Sequence, residues 1–206
     1  MSAALLFFAS GLAAPAIGEG LARTIQAYYP EWALERKAQA SSILELTTLP
    51  DGTINACRVV EHIGSERLAA EQCSLFVGRR ADPATDDGGN AAHAIVTIAT
   101  TMGLTAPGVT TIASIEPQPQ IEIQVARLPD GAERLDTEVV VLLSPEGQVA
   151  ACEAHAGAKE PAPTAFTKVA CGQAQAWRGA VLKDLSGAAI PYVTNLRVRF
   201  SQGAES

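Results

Sequence analysis

Pro50-Asp51-Gly52 followed by Cys57 returns as Pro145-Glu146-Gly147 followed by Cys152 at the same spacing, and Cys73 precedes Asp86 and Gly89 as Cys171 precedes Asp184 and Gly187. An internal repeat of this kind favours two units of roughly 80 to 100 residues over one large domain, each with a modest core. All four cysteines fall at matched positions, two per repeat, which suits a pair of small disulfide-clipped domains.

The 206-residue chain is 48% hydrophobic and 18% charged, the balance of a folded globular protein. Its net charge is −7, and Lys and Arg are scattered singly or in pairs such as Arg79-Arg80. A phosphate-binding face needs clustered cations, so nucleic acid is not an expected partner.

Met1 to Ala16 carries no charged side chain, contains the apolar run Ala3 to Ala9, and closes on Ala14-Pro15-Ala16. Small residues at that point fit a secretory signal peptide cleaved there, although no Lys or Arg precedes Arg23. The run is interrupted by Gly11 and Pro15 and falls short of the roughly 20 apolar residues of a membrane span. No Cys follows it, which speaks against a lipid anchor. Export agrees with the even number of cysteines, since disulfides persist in oxidising compartments. Of the three possible connectivities, Cys57 with Cys73 and Cys152 with Cys171 is preferred, because duplication copies an intradomain bond intact. Structural zinc is disfavoured: there is no Cys-x-x-Cys pair, and His62, His93 and His155 do not recur at matching places.

Periodicity predicts a short helical stretch within Gly20 to Ala40 around Tyr28-Tyr29-Pro30 and Trp32, then a hairpin of Ile43–Leu49 and Thr53–Val60 turning at Pro50-Asp51-Gly52. Leu68, Ala69, Cys73, Phe76 and Val77 share one side of a helix over Ser65 to Val77 that would lie over the hairpin, and Ala92 to Ala99 is a third strand. Residues 101–120, rich in Thr, Gly and Pro, form the expected linker, with a short strand at Val109 to Ile115. The second unit, 121–201, would run through strands Ile121–Ala126, Thr137–Leu143 and Gln148–Ala154, a helix carrying Phe166, Val169, Ala170, Gln173, Ala174 and Trp177, and a last strand Tyr192–Phe200. The expected fold class is α+β: two tandem small domains, each an antiparallel three-stranded sheet with helices on one face.

From Tyr29-Pro30 through the Pro50-Asp51-Gly52 hairpin, Cys57-Arg58-Val59, Gly64-Ser65 with Leu68, Arg80, Pro83-Ala84 and Asp86 to Gly89, the first repeat resembles the C-terminal domain of TonB, the energy transducer of bacterial outer-membrane transport. The likeness is to the variant with one cysteine on the second strand and another on the following helix. It covers about 27–100, and more weakly 121–200. Ala81 stands where the family usually has an aromatic and Ala69 where an Asp is common, and no membrane anchor or long Pro-rich spacer is seen in the chain. The resemblance therefore implies the fold and recognition of an extended segment, without force transduction.

The residues offer no catalytic signature: no Gly-x-Ser-x-Gly, no His-Glu-x-x-His and no glycine-rich phosphate loop. Asp136-Thr137 lacks the glycine of an aspartic protease, Glu138 standing in its place. Asp86 and Asp184 are read as turn caps, Arg79-Arg80 as a solvated helix end, and Trp32 and Trp177 as core. No enzyme activity, cofactor or metal is expected. The expected function is an exported, periplasmic protein-binding module that pairs with an extended segment of an envelope protein, a TonB-dependent receptor segment being one candidate. The expected edge is the last strand, at Tyr192, Val193, Asn195, Arg197 and Arg199. The alternative is a structural or assembly protein of the envelope whose two repeats pack on each other.

Overall fold

The computed structural model describes residues 11–105, 107–156 and 163–203. The first half holds helices α1 (Glu19–Ala27) and α2 (Glu31–Glu35), strands β1 (Ala40–Thr48) and β2 (Ile54–Gly64), helix α3 (Glu66–Phe76), two short strands β3 (Ala84–Thr85) and β4 (Ala91–Ala92), and strand β5 (Ala94–Met102). The second runs β6 (Ile121–Val125), a 3-10 turn at Pro129–Gly131, β7 (Arg134–Leu143), β8 (Val149–Ala154), helix α4 (Thr164–Ala174), short strands β9 (Leu182–Lys183) and β10 (Ala189–Ile190), and β11 (Tyr192–Gln202).

Local chemistry sets the hairpins. Gly52 and Gly147 adopt φ of 84° and 77°, where a side chain is strained. At both positions a neighbouring strand also closes in: a Cβ on Gly52 would lie 2.3 Å from the Ala81 carbonyl oxygen, and one on Gly147 2.4 Å from that of Gly179. We expect Gly52→Ala to cost about 1–3 kcal/mol in urea unfolding. Gly172→Ala, inside α4 with open space around it, should instead stabilise by about 0.5–1 kcal/mol.

Helix α3 starts at Ser65, whose hydroxyl accepts the Leu68 N–H, and buries Leu68, Ala69, Gln72, Cys73 and Phe76. Those positions recur at helical spacing, so one stripe faces the hairpin. Cys73 and Phe76 fill the first core with Leu44, Leu46, Ile54 and Val96, Leu68 and Ala69 pack with Ala33, Ala40 and Met102, and Cys73 meets Cys57, Cα atoms 5.5 Å apart and disulfide-bonded. In the second half, Val139, Val141, Leu143, Leu196, Val198 and Phe200 pack under α4, and Cys152 is bonded to Cys171.

The two halves do not keep separate three-stranded sheets. One seven-stranded sheet runs in the order β2-β1-β5-β11-β7-β8, with β6 also paired to β11. The junction is parallel, Val193 opposite Ala94 and Thr194 opposite Ile95. Both strands carry apolar residues on both faces there, so each gains by covering the other's open edge. Registered neighbours share a face. Ala94 lies on the same face as Val96 and Ile98, which pack under α3, whereas Val193 alternates with Leu196 and Phe200 under α4. The helices α3 and α4 therefore cover opposite faces of the joined sheet.

Other expectations shift in detail. The predicted N-terminal helical stretch divides into α1 and α2 around Tyr28-Tyr29-Pro30. Residues 107–120 hold no strand, so Val109 to Ile115 is not one, and β5 reaches Met102, inside the expected linker. The Gln39 side chain replaces a strand partner there: its Nε2 donates to Thr110 O at 2.8 Å, and its Oε1 accepts from Leu104 and Ile112 N–H at 2.9 and 3.1 Å. Trp177 lies beyond α4, partly buried on the second core. His62 falls inside β2. Of the expected signal peptide, residues 1–10 lie outside the described residues, while 11–16 are packed on the fold. Among the described residues no helix is long and apolar enough to cross a membrane.

Candidate protein-interaction surface

The last strand, expected to be an open edge, is interior. Tyr192 to Ser201 pairs with β7 on one side, and on the other β11 meets β5 at its start and β6 from Val198 onward. Val193 N–H donates to His93 O at 2.9 Å and Gly203 N–H to Val125 O at 3.1 Å on that second side. The backbone of Tyr192, Val193, Asn195, Arg197 and Arg199 is thus spent within the chain, which corrects the edge reading.

Their side chains are engaged as well. Tyr192 is 2% exposed and its hydroxyl donates to Ala180 O at 2.8 Å; burial, with Glu45 nearby, pushes the phenol up to about 12. Val193 is fully buried. Arg199 holds Asp136 with two hydrogen bonds of 2.8 and 3.1 Å, and Arg197 donates to Glu138 at 3.0 Å and to Pro117 O at 3.0 Å. His155 Nδ1 stands 3.2 Å from the other Glu138 oxygen. The Arg199 hydrogen bonds hold Asp136 below the usual carboxylate range, and the neighbouring His155 ring, then Arg197, does the same for Glu138. Carboxylates kept ionised in this way cross-link β7 and β11.

The sign of the pH effect follows. Both groups have folded values below their ordinary ones, so their contribution is present above the unfolded pKa and lost as pH falls through the folded value. We expect Glu138→Gln to flatten the decline in stability between about pH 5 and 3 by on the order of 1 kcal/mol, read as urea midpoints across that window.

The repeated aspartates cap turns. Asp86 accepts N–H bonds from Gly88 and Asn90, and Asp184 from Ser186 and Ala188. Arg80 pairs with Asp51 at 2.8 Å, and Trp32 donates to Glu71 beneath the Arg67 guanidinium, 4.0 Å above its ring. His62 is exposed on β2, and His93 sits between β4 and β5 with its carbonyl taken by Val193. Among the described residues no group of three His, Cys, Asp or Glu is placed to hold a metal.

Among the described residues, the open edges are the outer strands and β5 beyond Ile95 on its side away from β1. Beyond its first residues, covered by the Thr53–Arg80 bridge and the Ile54 N–H bond to Arg79, β2 has only β1 beside it among the described residues, and its Val60 is half exposed. β8 is the opposite margin, its entry covered in the same way by Gln148 and Arg178. The sequence did hold a sign of which strand was interior: Tyr192, Val193 and Thr194 are consecutive buried residues, which an edge strand with one wet face does not need.

No curated protein and no solved structure matches the chain. Residues 25–101, from α1 to β5, match the family model of the Gram-negative bacterial TonB protein C-terminal.

Proposed function

We propose that the chain is an exported, periplasmic, non-enzymatic protein-binding module, built as a duplication of one TonB C-terminal-type unit, which takes up an extended segment of an envelope protein by strand addition. A segment of a TonB-dependent outer-membrane receptor is the first class to test. The family match over residues 25–101 carries the reading. Support for the duplication comes from the common order of hairpin, disulfide-bonded helix, two-residue strand pair and long last strand in both halves. Because β11 covers β5 only at Ala94 and Ile95, addition has to use β5 beyond that point or an outer strand.

One experiment tests this: cross-linked capture from native cell envelopes with tagged wild type and Val60→Pro. Val60 is the residue without a register partner at the shift between Ile43 and Leu44, and bulges are among the strand positions where Pro is found. A captured envelope protein that is lost with Val60→Pro places addition on β2; capture of none supports the alternative. That alternative, a structural or assembly protein of the envelope whose halves pack on each other, is favoured by the burial of β11 between β7 and β5.

A further inference from the structure

A short piece of the chain already shows how an extended segment can be held. Residues 11–16 run antiparallel to Asp82–Thr85. Ala13 and Thr85 exchange both backbone hydrogen bonds at 3.0 Å, and Ala16 and Asp82 exchange theirs at 3.3 and 2.8 Å. The Thr85 hydroxyl also donates to Gly11 O. Leu12 is 7% exposed and sits in a pocket of Ala84, Ala94, Val140 and Val193, near the junction of the two halves, on the face of the joined sheet opposite α4. At Gly11 a Cβ would lie 2.4 Å from Gly89 Cα, so the position before the leucine admits only glycine.

We infer that this groove is a strand-addition seat for an extended envelope-protein segment of the form Gly-aliphatic-x-x-x-small, and that residues 11–16 are its place-holder. The inference rests on the proposed function and locates one of its binding sites. The backbone of Asp82 and Thr85 supplies affinity without regard to sequence, while the alanine and valine pocket and the close approach of Gly89 supply selection. The pocket is small and uncharged, which fits one aliphatic side chain and rejects a carboxylate. Cleavage after Ala14-Pro15-Ala16, as the sequence leads one to expect, would free the seat for a partner.

The test uses the full chain and a synthetic peptide spanning residues 9–18, followed by amide NMR. Leu12→Asp, which unseats the place-holder, should bind the peptide about tenfold or more tighter than wild type, because self-occupancy no longer competes. The shifts should centre on the Asp82 and Thr85 amides, and a peptide with Asp in place of its leucine should lose about tenfold. Ala13→Pro removes the N–H bonded to Thr85 and should give the same gain should Leu12→Asp fail to fold. Absence of any shift at Asp82 and Thr85 in folded variants overturns the inference, as does a dimer that exchanges residues 11–16 between copies. Failure of the peptide with an envelope protein still captured removes this seat and leaves the proposed function; peptide binding with no capture does the reverse.

Discussion

Phe200→Ala is expected to lower the unfolding free energy by about 3–5 kcal/mol, measured by urea denaturation. Phe200 is fully buried, meets Phe166 edge to face with centroids 4.9 Å apart, and stands on the strand that carries β6 and β7 on its two sides. Truncation removes the transfer energy of the ring and leaves a cavity that strands on either side hold open. The aromatic pair adds a smaller amount. Because β11 also meets β5, the loss should reach the first half, and both halves should unfold in one shifted transition. A second transition left at the wild-type midpoint would mean that the junction does not couple them.

Removing both disulfides, by Cys→Ala at 57, 73, 152 and 171, is expected to cost about 6 kcal/mol. Each bond closes a loop of 16 or 19 residues, worth about 3 kcal/mol in the chain-entropy model. The two lie in separate cores on opposite faces, so the single-pair variants should add within about 0.5 kcal/mol. For units with small cores that is a large fraction of total stability, and the reduced chain should be mostly unfolded at 37 °C. The check is thermal melting with and without reductant, which should show a drop in wild type and none in the quadruple variant.

Much of each half was legible in the residues. Gly52 and Gly147 are placed where the turns need positive φ, Ser65 where α3 needs its cap, and the alternation of Leu196, Val198 and Phe200 marks a strand. The cysteines pair as duplication implies. What the pattern could not show is the company that a strand keeps. Arg197 and Arg199 read as solvent-facing residues of an edge, yet each is held by a carboxylate on β7, and the same alternation serves an edge or an interior strand when its long polar side chains find partners across the ladder. Residues 11–16 escaped for another reason: a segment without periodicity of its own takes its conformation from Asp82 and Thr85, distant in sequence. The last strand was therefore read as an edge although the resemblance was recognised.

The most direct measurement is amide hydrogen exchange along Tyr192–Gln202 in the full chain. If β11 is spent within the chain, odd-numbered amides facing β5 and β6, Val193 and Ser201 among them, should exchange as slowly as the even-numbered ones facing β7. Fast exchange confined to the odd-numbered amides would show an open edge, contradict the joined sheet, and return the binding surface to the last strand.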